Sequence, residues 1–339
     1  MERYKEVKSL GEQKIWTFDH LIHGEVIGSV REPHLIVTES DKLMVPATIV
    51  YQRSDNGRES SFLKERYRKR LYDPFRSIHS KLVQEFDNYR VWDEVGGVSI
   101  LALPVEPDSQ IFSAREMLFK IMDKNNPLAC GLRRLIEFFP SRNFGIFGSL
   151  SLGLMSEDSD VDLFVYGGYE YLDVTERLRD VNVQRELEIR QLPESKINEY
   201  AREYSQSLQI SFEGAQRIAL LRSRYLLYLG DGLEIKIAVS GCFDKEEYQL
   251  QTILRSRRIG DAQAVGVIQD IHNSASFPRE YAVKVDNRLM CIVSHRWLTQ
   301  RLVNENEEIL IKGVLREKDG VEFFSLEKPT DIIIPPEYL

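Results

Sequence analysis

The residues with chemistry to offer lie close together near the middle of the chain. Asp160 and Asp162 flank Val161, and Leu163-Phe164-Val165-Tyr166 continues an apolar run. That run reads as a short strand, on which carboxylates at i and i+2 point to the same side. Like charges held this close repel, and each resists ionisation if desolvated. A hard divalent cation relieves both problems; Mg²⁺ is commonly held by one or two carboxylates plus substrate phosphates. Upstream, Gly148-Ser149 precedes Leu150 to Met155, which reads as a helical turn. Glycine lets backbone N–H groups approach a phosphate closely. A helix N-terminus adds positive partial charge, and the Ser149 hydroxyl can donate to a phosphate oxygen. A phosphate cradle with metal-binding carboxylates is what phosphoryl or nucleotidyl transfer needs, since that chemistry is mainly charge neutralisation and in-line positioning.

The stretch Phe147-Gly148-Ser149, then ten residues, then Asp160-Val161-Asp162-Leu163 resembles the signature of the DNA polymerase β superfamily of nucleotidyltransferases. The signature is an apolar residue, Gly, Gly or Ser, a short spacer, then acidic residues alternating with apolar ones. The likeness spans residues 147–240. One departure is Leu152 before the second glycine, where many small members carry Arg. The resemblance implies an α+β fold, with a polymerase-β-like core of mixed sheet flanked by helices. It implies two Mg²⁺ ions, or Mn²⁺ in their place, on Asp160 and Asp162. It also implies a third carboxylate on a later strand, for which Glu234 in Leu233-Glu234-Ile235-Lys236-Ile237 is the best match. Glu234 would complete the catalytic metal site and help deprotonate an attacking hydroxyl; its plainer reading is an exposed strand carboxylate paired with a neighbour. Asp231, in the preceding turn, is a rival that more simply caps that turn. Gly148, Ser149, Ser159 and Lys236 are the expected nucleotide-binding residues. Lys236 shares a face with Glu234 and could equally form an ordinary ion pair.

The implied activity is transfer of NMP from an NTP, ATP included, to a hydroxyl on a protein, nucleic acid or small molecule, with pyrophosphate release. The alternative is a catalytically silent module that keeps the fold to bind nucleotide, RNA or a partner. Other residues are weighed against blander roles. Arg217, Arg222 and Arg224 read as helical residues before the Glu234 strand, best taken as a solvated face. Arg255, Arg257 and Arg258 form a basic hinge or a contact for an acidic acceptor. Tyr169 or Tyr171, after Gly167-Gly168, is a candidate for base stacking.

Around these residues the elements fall into three parts. Residues 1–110 form a β-rich region, with charged helices expected at 54–76 and 77–93, where Arg66, Arg68, Lys69 and Arg70 cluster. Residues 111–261 form the core. Helices there are broken at Asn125-Asn126-Pro127, helical patterns run through 173–189 and 194–228, and an alternating strand follows Gly230-Asp231-Gly232. Residues 262–339 form a small all-β module with a hairpin signal at Lys318-Asp319-Gly320. It is compatible with a barrel of the oligonucleotide-binding (OB) kind and equally with a plain structural or dimerising module.

Composition bounds the partners. With 45 basic against 53 acidic residues, a net charge of −8 excludes a whole-protein basic field and confines any nucleic-acid contact to local patches. The three cysteines are far apart and form no Cys/His cluster, so neither a disulfide scaffold nor structural zinc is expected. The polar N-terminal stretch does not resemble a signal peptide, and no apolar run is long enough to cross a membrane. These features lead us to expect a cytoplasmic protein.

Overall fold

The computed structural model describes residues 4–6, 19–30, 34–37, 42–72, 86–93, 98–106, 109–140, 143–155, 159–222, 224–242, 256–274, 279–294, 302–327 and 331–339. Nine strands come first: β1 (Tyr4–Glu6), β2 (His20–His23), β3 (Val26–Val30), β4 (His34–Val37), β5 (Leu43–Glu59), β6 (Arg66–Tyr72), β7 (Arg90–Asp93), β8 (Val98–Pro104) and β9 (Gln110–Phe112). Helices α1 (Ala114–Met122) and α2 (Pro127–Phe138), then β10 (Asn143–Phe147) and β11 (Val161–Tyr166), lead into α3 (Gly168–Arg177), α4 (Val181–Leu187) and β12 (Ile189–Gln191). Next come α5 (Glu194–Leu208), α6 (Phe212–Leu221), β13 (Arg224–Gly230) and β14 (Leu233–Cys242). The last strands are β15 (Arg257–Asp270), β16 (Arg279–Val285), β17 (Arg288–Ser294), β18 (Glu308–Lys318), β19 (Val321–Ser325) and β20 (Ile332–Ile334).

These strands build three sheets. In the first, β1-β4-β5-β3-β2-β9 run in order, with β6 and β8 also paired to β5 and β7 paired to β8. The second has the order β10-β11-β14-β13-β12. The third runs β15-β16-β17-β19-β18-β20, and β15 pairs with β18, which closes five of its strands into a barrel. The chain divides into two compact units, residues 1–123 with 145–161, and residues 124–144 with 162–339.

In the first unit, residues 54–72 of the charged helix expected at 54–76 belong instead to the hairpin of β5 and β6, and residues 73–76 lie outside the described residues. Charge density carries no period, and among the described side chains of β6 burial falls on Tyr67. Tyr67 is 2% exposed and packs with Ile27 and Tyr51, while its neighbours Arg66 and Arg68 are exposed. Arg53 and Arg58 both register against Tyr67, so residues 54–57 form a bulge. Gly57 is required there, because a Cβ would lie 2.4 Å from the Tyr67 backbone carbon. Of the second expected helix, 77–93, residues 86–89 make a short 3-10 turn, residues 90–93 form strand β7, and the rest lies outside the described residues.

In the second unit, Asn126 caps α2 by accepting from the Ala129 amide at 2.8 Å, and Pro127 takes the first helical position. The helical pattern at 194–228 resolves into α5, α6 and then strand β13. Tyr225 and Leu226 therefore belong to a strand, and Arg224 pairs with Ala238 of β14. One apolar core includes Ala201, Tyr204 and Ile218 from α5 and α6 together with Ile268, Val283, Ile311 and Phe324 of the barrel. At the β18–β19 hairpin, Asp319 and Gly320 take positive φ of 52° and 81°, as a type I′ turn needs.

Candidate active site

Strand β11 delivers the second aspartate. Val161, Leu163, Phe164, Val165 and Tyr166 are buried, and Asp162 is half-buried between them. Asp160 stands immediately before the strand and is also half-buried, as is Ser159. Residues 156–158, which precede them, lie outside the described residues.

The glycine-serine segment is held by the first unit. Gly148 has φ of 76° and opens a turn in which the Leu154 amide donates to the Ser149 carbonyl at 2.8 Å. The Ser151 hydroxyl donates back to the Gly148 carbonyl at 2.9 Å. The turn is tied to the loop that follows β5. The Ser60 hydroxyl, fully buried, donates to the Leu152 carbonyl at 2.6 Å, and the Ser61 amide donates to the Gly153 carbonyl at 3.0 Å. Leu152 and Leu154 pack with Ile27, Tyr51 and Tyr67. Leu152 thus serves as an apolar anchor for this turn. Ser60 and Ser61 were not legible as site-positioning residues, because their partners are more than 90 residues away; Gly153, with φ of 66°, is the one local hint.

Glu234 lies on β14, next to β11 in the same sheet. It is held by a bidentate pair with Arg190 of β12, at 2.8 and 2.5 Å. Register explains the reach: Arg190 opposes Leu226, and Glu234 opposes the next same-face residue, Tyr228. The Arg190 hydrogen bonds hold the Glu234 carboxyl below its ordinary pKa and raise that of the guanidinium. The exposed, paired carboxylate considered from sequence is therefore what this structure contains. Lys236, on the same face, donates to the Tyr200 hydroxyl at 2.9 Å. Asp231 has φ of 51° in the turn between Gly230 and Gly232.

The arginines expected on one helix are split. Arg217 stays on α6 and pairs with Glu307. Arg222 ends that helix and is buried, which lowers its pKa. Arg224 begins β13. Arg222 and Arg224 both donate to the Tyr204 hydroxyl, at 3.0 and 2.6 Å, and Arg224 lies 4.0 Å over the Tyr200 ring. With Lys236 they place three cations around two α5 tyrosines. Arg257 pairs with Glu317 and Arg258 with Asp261, while Arg255 lies outside the described residues. The Tyr169 ring lies tilted against His272, with ring centres 4.2 Å apart.

Among the described residues, Asp270, His272 and Glu305 bring three ligand atoms within 4.8 Å of one another. Sequence reading missed this group because Glu305 lies more than 30 residues from the other two.

Residues 132–227 match the family model described as the nucleotidyltransferase domain. The matched stretch takes in Gly148, Ser149, Asp160 and Asp162 and stops before Glu234. This segment is a nucleotidyltransferase domain of the polymerase β type, so a generic nucleotidyl-transfer chemistry is supported. Neither the comparison with curated proteins nor that with solved structures gave a match. Among the described residues no helix is long and apolar enough to cross a membrane.

Proposed function

We propose that the protein is a Mg²⁺-dependent nucleotidyltransferase that moves NMP from an NTP to a hydroxyl acceptor and releases pyrophosphate. The observation that carries this reading is Asp162 as the accessible polar residue of an otherwise buried strand, with Asp160 just before it, inside the matched domain. The donor set is all oxygen and fits a hard cation. When bound, Mg²⁺ neutralises triphosphate charge and stabilises the departing pyrophosphate. Asp160 and Asp162 would hold it, with Glu234 as third ligand once Arg190 releases that carboxylate. The Ser149 hydroxyl and the Gly148-Ser149 amides would orient phosphate oxygens. Ser159 and Lys236 would add polar and positive contacts to the nucleotide.

The barrel supports a finer reading of the C-terminal module. In chain order its strands run 1-2-3-5-4 and close back to 1, and the third and fifth are parallel. We read this as OB-like topology. The acceptor class is left open between protein, nucleic acid and small molecule. The ion pairs of Arg257 and Arg258 weigh against that basic run as the acceptor patch.

One observation favours the second reading, a silent binding module: Glu234 is already engaged by Arg190. A single experiment separates the two. Wild type and the Asp160→Asn/Asp162→Asn variant are incubated with each labelled NTP, Mg²⁺ or Mn²⁺, and acceptors including the protein itself. Pyrophosphate release by wild type, lowered about 10³-fold or more in the variant, supports the enzyme. Release from neither protein, with nucleotide binding retained in both, supports the binding module.

A further inference from the structure

The group Asp270, His272 and Glu305 lies apart from Asp160 and Asp162 in sequence, and its chemistry differs from theirs. Its ligands come from three segments. Asp270 ends β15, His272 opens the 3-10 turn His272–Ser274, and Glu305 lies in the loop before β18. Two of these segments are fixed against each other by backbone bonds. The Ile268 amide donates to the Glu307 carbonyl at 3.0 Å, and the Asn306 amide donates to the Ile268 carbonyl at 2.9 Å. Glu305 is thus bracketed by anchored residues, since Asn304 also bonds the Glu307 carboxylate through its amide, at 3.1 Å, and its side chain, at 2.8 Å.

His272 is pinned twice. Its amide donates to the Asp270 carboxylate at 2.7 Å, and its Nδ1 faces the same oxygen. Its ring lies against Tyr169, 4.2 Å centre to centre. Its carbonyl sits so close to Gly168 that a Cβ there would approach to 2.7 Å. The imidazole is therefore set in place by the start of α3, while the carboxylates remain accessible: the Asp270 side chain is 50% exposed and Glu305 is exposed. Among the described residues no lysine or arginine pairs with Glu305. Two carboxylates around one imidazole make an accessible cluster with mixed nitrogen and oxygen donors.

We propose that Asp270, His272 and Glu305 bind a divalent transition-metal ion of the Zn²⁺ or Co²⁺ class. The cation sits where the His272 Nδ1 faces the Asp270 carboxylate. An imidazole ligand separates this site from Mg²⁺ and Ca²⁺, which prefer all-oxygen donors. Metal–ligand bonds of about 2.0–2.2 Å require donor atoms about 3.3–3.5 Å apart. The three donor atoms already lie within 4.8 Å of one another, and rotation of the accessible carboxylates sets this spacing, with the backbone already fixed. Three protein ligands leave a fourth position for water or an external donor.

The test uses the full chain, stripped by chelator and titrated with Co²⁺ while the visible absorption of the ion is followed; Zn²⁺ is then added as competitor. Saturable bands that Zn²⁺ displaces are expected. His272→Ala and Glu305→Gln should each weaken Co²⁺ binding about tenfold or more, and Asp162→Asn should leave it unchanged. Because Glu305 is exposed, Glu305→Gln retains the fold and decides the matter if His272→Ala unfolds. Absence of bands, binding by Glu305→Gln as tight as wild type, or loss of the bands in Asp162→Asn would each overturn the site. The titration reads no turnover, so its outcome is independent of the transferase proposal.

Discussion

The Arg190–Glu234 pair controls what Glu234 can do. Both side chains are accessible, at 61% and 29%, so water screens the attraction and the pair adds little to stability. Its effect falls on protonation. The carboxyl is held below its ordinary value of 4.5, first by the Arg190 hydrogen bonds. A group with a depressed folded pKa stabilises the protein at pH above that ordinary value and loses the contribution as pH falls through the lower folded one. Arg190→Gln should therefore raise the Glu234 titration midpoint toward 4.5. Carbon-detected NMR of the glutamate carboxyls measures this, and an unmoved midpoint would refute the pairing. Asp162 stands out in the sequence because a charge in an apolar strand has few reasons to be there, and Asp160 immediately precedes that strand. The partner of Glu234 was not, because Arg190 belongs to a three-residue strand whose register no local pattern specifies.

At the scale of elements, the glycine-serine turn is held from outside itself. Its own bonds close it, but Ser60 and Ser61, in the loop after β5, fix its position. Ser60 also accepts from the Leu63 amide at 2.9 Å, so one buried hydroxyl organises two loops. Ser60→Ala leaves the Leu152 carbonyl without that donor in a buried site and should cost about 1–3 kcal/mol. Gly153→Ala should cost at least as much. Its φ of 66° strains a side chain, and the new Cβ would fall 2.8 Å from the Phe62 ring and 3.1 Å from the Ser61 amide. Denaturant midpoints measure both; a Gly153→Ala protein as stable as wild type would show that the turn is not held this way. The hairpin behind this anchor reads as a helix in the sequence because its arginines and lysine leave Tyr67 as the one buried residue among the described side chains of β6, too little to set a strand period. Where apolar residues set the period, as in the barrel strands and α2, sequence and structure agree. Where a helix gives way to a strand without a glycine or proline between them, as from Leu221 to Arg224, no residue marks the change.

Across the second unit, α5 and α6 bury their apolar faces in the same cluster as the barrel interior. Ile218 of α6 is 1% exposed and Ile311 of β18 is 0% exposed, and both belong to that cluster. The C-terminal residues extend the attachment: the Ser211 amide donates to the Tyr338 carbonyl at 3.0 Å, and Arg217 of α6 pairs with Glu307 ahead of β18. A helix pair that shares its core with a barrel cannot lose one without exposing the other, so the two should unfold together. Ile218→Ala and Ile311→Ala should each cost about 2–5 kcal/mol and lower the same calorimetric transition. A chain ended at residue 255, which removes the barrel strands, should expose the apolar faces of α5 and α6 and bind a hydrophobic dye such as ANS. Two transitions, each moved by only one of the substitutions, or a truncated chain with native near-ultraviolet dichroism, would make the barrel an independent module. Joint unfolding would instead make it a structural part of the unit that carries β11 and β14, whatever else its surface binds.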